Sequence, residues 1–258
     1  MDGCGVTHAV LLAAANAEEQ AKAAVKEHPA RFARFAGADV SKPESFAVLE
    51  RNAREGAIGF GEIKSHVALD GPEMKRLYAM AADFGIPVLV HFQESQHFAG
   101  EGMFSTGFPR LPAVLKAFPR TTFIGHADFF WANISADPQA GVSYPKGKVK
   151  RGGLTDKMLG DYPNLYGDLS ANSGRNALAR DPEFTADFLK RHRAKLMFGC
   201  DCSCRDGRGT GQGSQEPLIK GKCVARETLA AVKQATAPDV FRQLTWENGV
   251  RLLKLGFS

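Results

Sequence analysis

Seven short β-rich runs alternate along this chain with longer stretches of helical period, and no other feature of the sequence constrains the fold as tightly. A strand followed by a helix, repeated, is the pattern of βα units built around a parallel sheet. The runs predict strands over 6–13, 32–40, 57–63, 87–91, 122–125, 165–167 and 196–199, with helices near 16–27, 43–55, 74–84, 111–118, 183–192 and 224–233. Pro43 and Asp70-Gly71-Pro72 mark helix starts, and Gly85 marks a stop. The continuous apolar run of Val88, Leu89 and Val90 before His91 is that of a strand covered on both faces. Two connections, 126–153 and 200–221, exceed the usual loop length and follow strand ends; the second holds Gly207, Gly209, Gly211 and Gly213, and both are expected to act as lids.

A chain of 258 residues is close to the size of one (β/α)8 TIM barrel, so the expected organisation is α/β, a single domain over 1–258. The formal charge of +5 is dispersed, and the densest basic group, Lys146, Lys148, Lys150 and Arg151, has no aromatic ladder beside it. It reads as a solvated loop, which argues against a nucleic-acid partner. No apolar run approaches the roughly 18 residues a bilayer span needs, and no basic region precedes the first apolar stretch, so neither membrane association nor export is expected. An odd count of five cysteines argues against a disulfide framework and for a reducing, cytoplasmic setting.

The chemistry is concentrated at strand ends. Glu62, His91, His126, Asp168 and Asp201 each stand at or near the carboxyl end of an expected strand, and in a barrel those ends share one face, where TIM-barrel enzymes gather their catalytic groups. Two imidazoles and a carboxylate suit zinc, and three protein ligands plus water make an open catalytic site. Asp201 is the expected base for the metal-activated water. His66 and His97 are expected as substrate contacts, and Arg175 as a clamp for a substrate carboxylate. Cys200, Cys202, Cys204 and Cys223 invite a metal-cluster reading, but their spacing lacks the Cys-x-x-Cys pairs of common structural zinc sites; a Cys204–Cys223 disulfide is the alternative weighed.

From Gly5-Val6-Thr7-His8-Ala9-Val10 to Asn248-Gly249-Val250-Arg251-Leu252, the chain resembles the amidohydrolase superfamily, in the amidohydrolase-related branch that includes aminocarboxymuconate-semialdehyde decarboxylase. The resemblance implies metal ligation by His91 and His126, a role for Asp201 as ligand, base or both, and a bridging or second-metal role for Glu62. Asp168 then falls behind the ligands or against the substrate. The family's His-x-His pair on its first strand has no counterpart here, so the seven strands would be the family's second to eighth, with the first β/α unit missing. The activity implied is hydrolysis of an amide, ester or lactone, with non-oxidative decarboxylation or an inactive barrel kept as a binding module as alternatives. The partner is a small-molecule substrate, and homo-oligomerisation stays open.

Overall fold

A computed structural model describes residues 1–13, 17–96, 100–139, 141–210 and 221–257. Its strands are β1 (Ala9–Ala13), β2 (Phe32–Ala36), β3 (Phe60–Ile63), β4 (Val88–His91), β5 (Phe123–His126), β6 (Leu165–Asp168) and β7 (Leu196–Met197). Its helices are α1 (Glu18–Glu27), α2 (Ser45–Arg54), α3 (Pro72–Phe84), α4 (Leu111–Ala117), α5 (Asp128–Ala132), α6 (Leu154–Asp161), α7 (Ala171–Ala179), α8 (Pro182–Arg191), α9 (Val224–Ala235), α10 (Pro238–Arg242) and α11 (Asn248–Leu253). The seven expected strands are the seven observed, several of them shorter. β2 stops at Ala36 because Asp39 folds the chain into a turn, accepting bonds from the Ser41 amide (3.1 Å) and hydroxyl (2.7 Å).

The chain forms two compact units, one of residues 8–125 with 253–258 and one of residues 1–7 with 126–252. In the first, β1 to β4 pair in parallel in sequence order, and the Val88 amide reaches the Thr122 carbonyl just before β5. Helix α3 shows how sequence dictates this layer. Pro72 starts it, Gly85 closes it in the left-handed region (φ 65°), and Met74, Leu77, Tyr78 and Ala81 form one buried stripe. A buried cation is also built in: Arg34 of β2 pairs with Glu18 of α1 and donates to Asn52 Oδ1 (3.3 Å) and the Glu55 carbonyl (3.2 Å). Burial drives the Glu18 carboxyl upward against the pull of Arg34.

In the second unit β6 and β7 pair in parallel, with Gly167 facing Leu196 and Asp168 facing Met197. Asp181 caps α8 by accepting from the Phe184 amide (3.2 Å), and Pro182 follows at the first helical position. Asn248, 1% exposed, donates to the carbonyls of Arg193 (2.6 Å) and Leu196 (2.8 Å), while Arg251 reaches that of Ala194 (2.9 Å). The closing Asn248–Arg251 motif therefore latches α11 onto the entry to β7. The long connection expected over 126–153 contains α5, whose Phe130 and Trp131 are buried. In the other long connection, Gly211 and Gly213 lie outside the described residues. Helices α6 and α7 were not anticipated: α7 reads Ala-Asn-Ser-Gly-Arg-Asn-Ala-Leu-Ala, where Asn172, Ser173, Gly174 and Asn176 mask the helix formers among them, and it forms because tertiary packing overrides propensity.

Candidate active site

In the first unit, a cleft of about 270 Å³ opens over the carboxyl ends of the first three strands, lined by Leu12, Ala13, Gly37, Ala38, Asp39, Glu62 and Lys64. Glu62 ends this row, and its Oε1 contacts His91 Nδ1 directly. The other ring nitrogen, Nε2, lies 2.8 Å from Gln93 Oε1. Both ring nitrogens thus face oxygens. Gln93, fully buried, is held in turn by bonds from its Nε2 to the Ser95 carbonyl (2.6 Å) and Glu101 Oε2 (3.0 Å). Beside His91 stands Phe104, with ring centroids 6.4 Å apart. His66 stacks on that same ring at 3.8 Å and also contacts the Met103 carbonyl at 2.9 Å, while the Lys64 ammonium lies 5.4 Å from its centroid. His97 lies outside the described residues.

In the second unit, His126 ends β5 and is 2% exposed. Its Nδ1 lies 3.0 Å from Ser170 Oγ, which donates to Asp168 Oδ2 at 3.0 Å; Nδ1 and Oδ2 themselves are 3.5 Å apart. The chain of donors assigns the proton to Nδ1 and leaves Nε2 as the basic nitrogen, the arrangement of a metal-ligating histidine backed by a carboxylate. Trp131 steadies the relay by donating to the Asp168 carbonyl at 2.9 Å. Gly199 makes room for it: a Cβ there would fall 2.3 Å from Asp168 Oδ1. That oxygen is buried with no hydrogen-bond partner.

Asp201 is exposed and adopts φ 40°. Ala127 (φ 78°) and Ala171 (φ 59°) share the left-handed region, so among the described residues three of the four non-glycine residues with positive φ lie in the connections after β5, β6 and β7. Such conformations cost about 1–3 kcal/mol each and collect at functional sites. Tyr144 is half-buried; burial first, then the charges of Asp128 and Asp201, push its phenol up to about 12, so it is a hydrogen-bond donor at neutral pH. Arg175 pairs with Glu227 of α9 at 3.6 Å and donates to Asn172 Oδ1 at 3.4 Å.

Sequence reasoning missed Gln93, Tyr144 and Ser170. A glutamine two residues beyond a strand-end histidine was the only available signal for the first, and nothing in the local sequence marked the other two. The Cys204–Cys223 disulfide is contradicted: all five cysteines, each among the described residues, are thiols outside any disulfide. Cys200 is half-buried, and the desolvation pushes its thiol up and makes it a poor nucleophile.

Imidazole nitrogens and carboxylate oxygens, present at strand ends in both units, are the donor types that suit a divalent cation. A family model described as Amidohydrolase matches residues 2–255. No curated protein matches in sequence. Among solved structures, a probable 2-pyrone-4,6-dicarboxylic acid hydrolase from Acinetobacter baumannii is 13% identical with TM-score 0.57, over 96% of this chain and 84% of that one. A 2,6-dihydroxybenzoate decarboxylase from Rhizobium is 15% identical with TM-score 0.56, over 98% and 86%. A 5-carboxyvanillate decarboxylase from Novosphingobium aromaticivorans, solved with bound manganese, is 16% identical with TM-score 0.61, over 99% and 79%. These likenesses establish the fold, seven strands of the TIM-barrel type with alternating helices, and the family match establishes the kinship: the chain belongs to the amidohydrolase family and is an enzyme of that superfamily.

Proposed function

We propose that the chain, acting as one domain over 1–258, is a metal-dependent hydrolase of a carbonyl substrate, an amide, ester or lactone. The observation that carries the reading is the buried relay from Asp168 through Ser170 to His126, which fixes the tautomer a metal ligand needs. His91, His126, Asp201 and Glu62 would hold the cation, zinc being the choice for that donor set. When bound, the cation supplies Lewis acidity, polarising a carbonyl and lowering the pKa of water to about 7. Asp201, exposed at a strained strand end, takes the proton from the attacking water. Tyr144 donates a hydrogen bond to the oxygen that gains charge, its phenol protonated throughout the neutral range. Lys64 and His66, grouped around Phe104, form the wall against which a planar acidic substrate rests. Arg175 would anchor a carboxylate by exchanging Glu227 for substrate.

Decarboxylation is the second reading, favoured by two of the structural relatives described above, which are decarboxylases of hydroxylated benzoates. A substrate panel separates the two. The protein loaded with zinc or manganese is assayed for ring opening of a carboxylated lactone and for carbon dioxide release from hydroxybenzoates. Lactone opening that disappears in His126→Ala supports hydrolysis. Carbon dioxide release without lactone opening replaces it with the decarboxylase reading, and a protein that takes up no metal at this site and shows neither activity would leave the binding-module reading standing.

A further inference from the structure

Four of the five cysteines meet in the second unit, far from one another in sequence. Cys4 Sγ lies 3.5 Å from Cys223 Sγ, and Cys202 Sγ lies 3.7 Å from it. The sulfurs of Cys202, Cys204 and Cys223 are all within 4.8 Å of one another. A disulfide needs about 2.0 Å. Four thiolates around a tetrahedral zinc at about 2.3 Å stand about 3.8 Å apart along each edge, and the separations of Cys4 and Cys202 from Cys223 fall near that value. Thiolates bound to the separate irons of a cluster lie farther apart than thiolates sharing one ion.

We propose that Cys4, Cys202, Cys204 and Cys223 hold one structural zinc ion. The spacing of the sequence conceals the site, because only Cys202 and Cys204 are neighbours and they are separated by one residue. The backbone around the thiols is already shaped for it. The Gly209 amide donates to Cys204 Sγ at 3.0 Å, an N–H···S bond of the kind that stabilises a thiolate. Arg226 of α9 donates to the Gly207 carbonyl at 2.8 Å and to the Gly3 carbonyl, tying the start of the chain, the loop after β7 and the start of α9 together. A Cβ at Gly207 would lie 2.8 Å from Gly3 and 3.0 Å from Cys4 Sγ, so the close approach depends on glycine. Binding replaces the four thiol protons, which leave to solvent, and four thiolates on a divalent ion carry two net negative charges. Arg205, Arg208, Lys222 and Arg226 lie in the two segments that supply Cys202, Cys204 and Cys223; Asp206, whose Oδ1 accepts from the Cys204 thiol at 3.3 Å, must turn away when that thiol becomes a ligand. Asp201 immediately precedes Cys202, so the ion pins the loop that carries the proposed base. The site stands independently of the catalytic reading.

The test is cobalt(II) substitution of the full chain, purified under reducing conditions, read by sulfur-to-cobalt charge-transfer absorption in the near ultraviolet. The expected result is a strong thiolate band that is lost in Cys202→Ser/Cys223→Ser and retained in Cys200→Ser, with far-UV circular dichroism confirming that each variant is folded. Should the double variant fail to fold, alkylation of the wild type decides: zinc is expected to protect the four thiols at least ten-fold, and a chelator to remove that protection, with Cys200 unchanged by either. A spectrum without the thiolate band, alkylation indifferent to zinc, a disulfide among the four, or an iron–sulfur chromophore would each overturn the assignment.

Discussion

The two units of the molecule fix a strand-end imidazole by different means. In the unit of residues 8–125, Glu62 touches His91 directly and Gln93 holds the opposite nitrogen, beside a cleft. In the unit of residues 126–252, His126 is wholly buried, and Asp168 acts on it through the Ser170 hydroxyl. The direct pair needs only two polar residues ending neighbouring strands; the relay needs a third residue from the following loop and a glycine opposite to leave space. Each unit also buries a charge network on its helical side, Arg34 with Glu18 in one and Asp156 with Arg191 and His192 in the other. The molecule thus solves one problem twice, once with a partner that sequence reveals and once with one it hides.

The sharpest break in that comparison falls on Asp201, in the loop after β7. Asp201→Asn is expected to lower kcat by about 10²–10⁴-fold, the contribution of a general base, while His91, His126 and Glu62 still retain the metal; an unaltered kcat would remove Asp201 from the proton transfer. On the structural side, Arg34→Met strands the buried Glu18 carboxylate and is expected to cost about 3 kcal/mol in urea unfolding. A loss under 1 kcal/mol would show that the network of the first unit relaxes around the gap.

Ser170→Ala isolates the relay. It is expected to weaken metal binding by about 10–100-fold, with Ser170→Thr restoring most of it, because only the hydroxyl is needed. Equal loss in both would make Ser170 a packing residue.

The smallest effect expected is a pH dependence in the second unit. Burial pushes the Asp156 carboxyl upward, but bonds from His192 (2.6 Å) and Arg191 (2.5 and 3.1 Å) prevail and hold it at about 2, below its ordinary 3.8. A depressed carboxylate contributes stability above its unfolded value and loses it as pH falls through the folded one. Asp156→Asn is therefore expected to flatten the melting temperature between pH 3.8 and about 2, where the wild type declines. Parallel declines in both would place the acid sensitivity elsewhere.

How much of this was legible follows from the same contrast. The strands were readable because buried parallel strands are continuous apolar runs, and Glu62, His91 and His126 were readable because polar residues closing such runs stand out. Helix α7 was not, since Asn172, Ser173, Gly174 and Asn176 interrupt its helix formers. Tyr144 and Ser170 were invisible because their roles arise from partners distant in sequence, and Cys4 because its companions begin 198 residues later. Asn248 was visible only as a family-like ending; its bonds to the Arg193 and Leu196 carbonyls give the reason for it.

The most direct test of the central claim is metal content by inductively coupled plasma mass spectrometry on the protein purified under reducing conditions, comparing wild type with His91→Ala/His126→Ala. About two divalent ions per chain are expected in the wild type, with about one lost together with all activity in the double variant, while the thiolate-bound ion stays. Metal content unchanged by removal of both imidazoles would contradict the assignment of His91 and His126 as the ligands of a catalytic metal.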